Sequence, residues 1–343
     1  MGIYGKDGWL DVDSLARNPF MVLIGSRRIG KTYGVLRKML EENRKFIYMR
    51  RTGAEIEFSA SDRTSPFAPY APSYIIGAEK DTTYTYRFGD LDPDAEKRTI
   101  ENDRGIMLSL SSVAKIRGFD GTPYTDIVYD EFIPERHVNK MRGEGEALLN
   151  AYETINGNRE LFGSSPVTLW LLANSNNLDS PVLDALGIRQ KIESMLARGQ
   201  EYSVLPDRGI TIVCASRSPI SGKKSKTALY SAVPEGRFTE MALHNSFSFN
   251  DFSAIGSRNL KQFTPRAAIG DYAVFDSKGS SEIYCAKVRV SIPTRYDNTT
   301  AGKTAFRIAN SDLYFAYLYG SLIFDNYTTK TFFSEIFPWL VDK

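Results

Sequence analysis

The residues Gly25-Ser26-Arg27-Arg28-Ile29-Gly30-Lys31-Thr32 match the spacing G-x-x-x-x-G-K-[ST]. Glycines at those positions let successive backbone N–H groups and a following helix N-terminus close around phosphate. Lys31 is expected to reach the β- and γ-phosphates of a nucleoside triphosphate, and the Thr32 hydroxyl to ligate Mg²⁺. An acidic pair, Asp130-Glu131, follows about 100 residues later. Asp130 is expected to hold Mg²⁺ through water, and Glu131 to polarise the attacking water as general base. Asn174 is placed to contact the γ-phosphate or that water. A guanine reader of the form N-K-x-D is disfavoured, because the nearest string, Asn176-Asn177-Leu178-Asp179, lacks the lysine. Arg159, in Asn156-Gly157-Asn158-Arg159-Glu160, carries the charge of an arginine finger. On residue type and position alone, a surface arginine is the better reading of it.

These groups need rigid elements to hold them. Phe20-Met21-Val22-Leu23-Ile24 is a wholly apolar run ending in glycine, the pattern of a buried parallel strand. The segment after the loop has Val35, Leu36, Met39 and Leu40 at helical spacing. Strand, glycine loop and helix is the context that a phosphate loop requires. Further buried-type strands are predicted at Phe46–Met49, Ile127–Tyr129 and Val167–Ala173, and a helix over 145–156. Each of the four strands ends in polar or charged residues, as in an open α/β sheet whose ligands lie at the strand C-termini. Residues 60–105 are polar and contain Pro66, Pro69, Pro72 and Pro93, which predicts an irregular insertion with one strand at Thr82–Phe88. From Arg208 to Pro234 there is no acidic residue. Later, Tyr272–Asp276 and Glu282–Val290 flank a polar turn, a hairpin signal. The expected organisation is a P-loop domain over 1–205, a basic linker over 206–255 and a small α+β domain over 256–343.

Bulk composition narrows the classes. The 343 residues are 42% hydrophobic and 24% charged, with a net charge of +2. That is ordinary globular composition, and any nucleic-acid-binding surface must be local. Cys214 and Cys285 are far apart and His137 and His244 are the only histidines, so neither a disulfide framework nor a zinc site is indicated. The opening MGIYGKDGWLDVDS has acids and no apolar core, unlike a signal peptide. With no run of 18 apolar residues, the expectation is no membrane span and a reducing cytoplasm.

Taken in order, the P-loop, FIYMRRT, TDIVYDEF, NGNRE and LLANSNN resemble the DNA-packaging ATPases of phi-29-like tailed phages. The likeness continues through KTALYSAVPEGRFTEMALHNSFSFND and YAVFDSKGSSEIY, and Arg117-Gly118 has the look of the large terminases. The resemblance implies a glutamate-bearing (ASCE-type) P-loop ATPase, with ATP and Mg²⁺ as cofactors, joined by a linker to an RNase H-like domain. It also implies a homo-oligomeric ring, pentameric in that family, that pumps double-stranded DNA into a prohead at the portal. A structural packaging RNA scaffolds the ring in that branch, and the protein would work in the host cytoplasm while docked on the prohead. Residue matching gives Lys31, Thr32, Asp130, Glu131 and Asn174 the roles above and makes Arg159 a finger acting in trans. Arg27 falls on the arginine that large terminases carry in this loop. Arg28 departs from the phi-29-like pattern, which has glycine there, and its role is left open.

A sequence-indifferent motor should touch phosphates. The candidates are Lys223, Lys224 and Lys226 in the basic stretch, and Arg136, Lys140 and Arg142 after the acidic pair. In the C-terminal domain Asp276, Glu282 and Asp325 are the acids that could serve a two-metal nuclease. The resemblance is to a branch that packages unit-length genomes without cutting, so they are read as ordinary surface acids. Two alternatives stay open on sequence grounds: a helicase or DNA-transfer motor, and a non-hydrolysing nucleotide-gated assembly factor.

Overall fold

A computed structural model of the chain describes residues 2–92, 99–115, 119–134, 141, 143–174, 178, 180–215, 218–220, 227, 228, 232, 254–288 and 291–340. The chain divides into two compact units, Met1–Ser248 and Phe249–Lys343.

The first unit is built on the strand β1 (Phe20–Gly25), whose residues after Phe20 are all buried. The loop follows, then helix α1 (Lys31–Glu41), β2 (Phe46–Arg50) and α2 (Gly53–Ala60). Thr52 and Glu55 start α2 with a reciprocal capping box, which fixes where the chain leaves β2. Next come β3 (Ile76–Lys80), β4 (Thr85–Leu91), β5 (Ile100–Ser109), β6 (Asp126–Asp130), α3 (Glu144–Asn156) and β7 (Thr168–Asn174). The short helices α4 (Pro181–Ala185) and α5 (Arg189–Ala197) lead to β8 (Tyr202–Leu205) and β9 (Ile210–Ala215).

Among the described residues these nine strands form one sheet in the order β3-β4-β5-β2-β6-β7-β1-β9-β8. The six from β5 to β9 are parallel, while β3, β4 and β8 are antiparallel to their neighbours. The expected open, mostly parallel α/β sheet is therefore present. Two expectations change. Residues 60–105 hold three strands rather than one, and β5 escapes an apolar-run reading because Glu101, Asn102, Asp103 and Arg104 open it with polar side chains and burial starts only at Arg104. The sheet also continues past 205, since the fully buried β9 pairs with β1 along its whole length. The acid-free stretch beginning at Arg208 therefore opens with a core strand rather than with linker.

One core cluster joins Met21 and Leu23 of β1, Tyr48 of β2, Val128 of β6 and Trp170 and Leu172 of β7 to Val35, Leu36 and Met39 of α1. At the N-terminal end of β6, fully buried Asp126 accepts hydrogen bonds from Arg17 (2.9 Å), Arg44 (3.3 Å), Thr125 Oγ1 (2.8 Å) and Trp170 Nε1 (2.9 Å). A buried carboxylate with four donors is tolerable, and it locks that end of the sheet.

The second unit is α+β, as expected. Strands β10 (Phe263–Ile269), β11 (Tyr272–Ser277) and β12 (Ile283–Lys287) form an antiparallel meander that contains the predicted hairpin. β13 (Arg295–Tyr296) adds in parallel beside β10. Helices α6 (Thr300–Ala309) and α7 (Leu313–Leu318) precede β14 (Leu322–Phe324), which runs parallel to β12, and α8 (Tyr327–Ile336) follows. The two faces of this sheet carry separate apolar clusters: Ile269, Val274 and Cys285 pack with Phe306 and Phe333 of the helices, while Ala273, Phe275 and Tyr284 line the other face.

Candidate nucleotide site

The loop from Gly25 to Gly30 leaves β1 and starts α1. Gly25 is required by packing, because a Cβ there would lie 2.9 Å from the Ala215 carbonyl oxygen and 2.6 Å from Ile29 Cδ1. Gly30 takes a left-handed φ of 95° at the helix N-cap. The α1 N-terminus has no side-chain cap and no acid in its first turn. Its N–H groups and dipole are thus available to an anion. Ser26 Oγ is buried without a hydrogen-bond partner beside this turn. Arg28, where glycine would be comfortable, also adopts a left-handed φ, 58°.

Parallel pairing brings the other groups to the same edge. β7 lies between β1 and β6, pairing Gly25 with Asn174 and Asp130 with Leu172. Buried Lys31 donates to the carbonyl oxygens of Gly25 (3.0 Å) and Ser26 (2.7 Å) and to Asn174 Oδ1 (3.3 Å). Thr32 Oγ1 donates to Asp130 Oδ1 at 3.1 Å. Lys31, Thr32, Asp130 and Asn174 are therefore one connected cluster. Burial pushes the Asp130 carboxyl above its ordinary value; the Arg50 guanidinium pulls the other way and the Glu131 charge adds to the rise.

The sequence reading missed Arg50 and Tyr48. Both lie on β2, the neighbour of β6. Tyr48 OH donates to Asp130 Oδ2 at 3.1 Å. Burial, then the Asp130 charge, raise the Tyr48 phenol, so it remains a donor. Arg50 Nη2 pairs with Glu131 Oε2 at 2.5 Å and Arg50 Nη1 lies 3.9 Å from Asp130 Oδ2. Burial alone would lower the Arg50 guanidinium, but Tyr48, Glu131 and Asp130 more than offset it. Glu131 itself is held at a left-handed φ of 55°, a conformation that costs a non-glycine residue about 1–2 kcal/mol. The sequence signal for Arg50 was its place as the polar end of an apolar strand, but its target becomes visible only once β2 is known to pair with β6.

A cavity of about 970 Å³ opens over this cluster. Arg27, Arg28, Gly30, Lys31, Thr32, Glu131 and Asn174 line it, together with Tyr33, Gly34 and Arg37 of α1 and Gly5, Asp7, Trp9, Leu10 and Asp11 of the N-terminal segment. Arg159 is not among these residues; its Nη2 donates to the carbonyl oxygens of Gly121 (2.6 Å) and Thr122 (2.9 Å). Lys223, Lys224, Lys226, Arg136, Lys140 and Arg142 lie outside the described residues, as do Arg117 and Gly118.

In the second unit, Asp276 and Glu282 are each engaged by an arginine. Arg266 Nε donates to Asp276 Oδ2 (2.9 Å), and Arg258 reaches Glu282 at 2.7 and 2.9 Å. Asp325 accepts from the Lys287 backbone N–H at 3.2 Å. Among the described residues no three acids, histidines or cysteines converge as a metal site. No described helix is long and apolar enough to cross a membrane.

No protein-family model matches the chain, and no curated protein sequence does either. Among solved structures, the bacteriophage Phi-29 viral genome packaging motor assembly is 20% identical, with a TM-score of 0.58 over 99% of this chain and 100% of that one. The Phi-28 gp11 DNA packaging motor is 16% identical, with a TM-score of 0.52 over 98% of each chain. Over nearly its whole length, this chain therefore has the fold of phage DNA-packaging motors.

Proposed function

We propose that the protein is an ATP-hydrolysing motor that drives viral double-stranded DNA into a prohead. The observation that carries this reading is the cluster itself: phosphate loop, Thr32–Asp130 pair, Glu131 and Asn174 meet at the C-terminal ends of the parallel strands, and Lys31, Thr32, Glu131 and Asn174 border one cavity. The uncapped α1 N-terminus and the orphaned Ser26 Oγ fit a triphosphate, and the Thr32–Asp130 oxygen pair fits Mg²⁺. When bound, Mg²⁺ would neutralise phosphate charge. Lys31 exchanges its carbonyl partners for phosphate oxygens, and Glu131 takes the proton of an attacking water. Arg50 holds one oxygen of that carboxylate, Oε2, which leaves Oε1 to accept the proton.

The fold likeness to packaging motors supports duplex DNA as the substrate and a ring docked on the portal as the working form. In that ring Arg159 acts across a subunit boundary, exchanging the Gly121 and Thr122 carbonyls of its own chain for phosphate oxygens of a neighbour's nucleotide. The arginine-paired acids of the second unit support a motor that does not cut.

Glu131→Gln tests the assignment. It should bind ATP with near-normal affinity and lose duplex-stimulated hydrolysis by about 10²–10⁴-fold. Wild-type turnover in that variant would remove Glu131 from the chemistry, and equal stimulation by single strands would move the function to a different DNA motor.

A further inference from the structure

The cavity is larger than a phosphate subsite and lies at the upper end of the size range for whole small-molecule ligands. Its second wall is the segment Gly5–Asp11, which is fastened in place. Leu10 N–H donates to the Ile29 carbonyl (2.9 Å), Gly5 N–H to the Trp9 carbonyl (2.8 Å) and Asp11 N–H to the Ile3 carbonyl (2.9 Å). Ser218 Oγ donates to the Gly8 carbonyl (3.2 Å), and Ile3, Leu10 and Val12 are buried in the core. On this fixed segment Trp9 is 41% exposed, lines the cavity, and sits against Gly30, where an added Cβ would meet its Cε3 at 3.4 Å. The loop supplies Arg27, Arg28 and Lys31 to the lining, whereas the segment supplies Asp7 and Asp11. Acidic lining disfavours more phosphate or a DNA backbone there, and a neutral, amino-bearing ring suits it.

Resting on the ATPase reading, we propose that Gly5–Asp11 forms the nucleobase subsite, with the adenine ring stacked on Trp9. Such stacking makes Trp9 a residue that separates ATP from its bare phosphate chain.

The test compares binding of ATP and of inorganic tripolyphosphate, both with Mg²⁺, to the full chain and its variants. Trp9→Ala should weaken ATP about tenfold and leave tripolyphosphate unchanged, while Trp9→Phe keeps ATP within about threefold. Equal loss for both ligands, or loss for neither, overturns the subsite and leaves the phosphate site standing. A wild-type chain that bound neither ligand would remove the ATPase reading itself. Intrinsic fluorescence gives a second readout, in which the difference between the wild type and Trp9→Phe isolates Trp9 from Trp170 and Trp339. ATP should quench the wild-type signal and tripolyphosphate should not; an unchanged signal with saturating ATP overturns the proposal.

Discussion

Two carboxylates on one strand show how position decides what an acid does. Asp126 and Asp130 bracket β6 and both are buried, yet Asp126 is saturated by fixed donors from four side chains. Asp130 instead shares its oxygens with Thr32 and Tyr48, groups that can yield to a ligand. Glu131 and Arg28 add a second theme, non-glycine residues held at left-handed φ beside the cavity. Strain of this kind gathers where chemistry fixes a side chain at some cost to the backbone. At position 28 the cost can be measured by separating side chain from backbone. Arg28→Gly and Arg28→Ala both delete the guanidinium, but only glycine suits φ 58°. The glycine variant should therefore be more stable than the alanine variant by about 1 kcal/mol in denaturant unfolding. Equal stabilities would mean that the turn imposes no such demand.

At the scale of elements, the strands around the site were legible because each is an apolar run closed by polar residues, and β1, β2, β6 and β7 lie within a residue of their predicted ends. Their order in the sheet was not. No periodicity says that β7 separates β1 from β6, or that β2 flanks β6 and aims Arg50 at Glu131. β9 was misplaced for a different reason: charge composition over a long window masked a six-residue apolar strand. The same register hides a further link behind the site. Arg51, one residue after β2, pairs in the interior with Glu144 at the start of α3 (2.8 Å), and Tyr129 OH of β6 donates to the same carboxylate (2.9 Å). This triad fixes the N-terminus of α3, the helix that leads to Arg159. Removing one member leaves a buried charge without its counter-ion, which costs about 3–5 kcal/mol. Arg51→Met and Glu144→Leu should each destabilise by that amount, and the double variant by clearly less than the sum. Additive losses would show that the pair contributes nothing as a pair.

At the scale of the whole molecule, each of the two units has an apolar core of its own, and the chain carries one buried cysteine in each. Cys214 is buried on β9 of the first unit and Cys285 on β12 of the second. Burial pushes the Cys214 thiol up to about 12, and burial also raises Cys285 well above its ordinary value. Since the thiolate is the reactive form, neither should label with a maleimide at pH 8 while its unit is folded. The sign for stability follows from the same shift. Below the ordinary thiol value near 9 both folded and unfolded chains keep the proton, so the buried thiol costs nothing. Between 9 and 12 only the unfolded chain ionises, and the first unit loses stability as pH rises. Cys214→Ala should flatten that alkaline loss. Heating at pH 8 with maleimide present, followed by mass spectrometry of the two peptides, should then give separate labelling midpoints for Cys214 and Cys285. Saturating ATP and Mg²⁺ should move the Cys214 midpoint upward and leave that of Cys285 in place, because a ligand stabilises only the unit that binds it. Joint movement of both midpoints would show that the two cores unfold as one cooperative body.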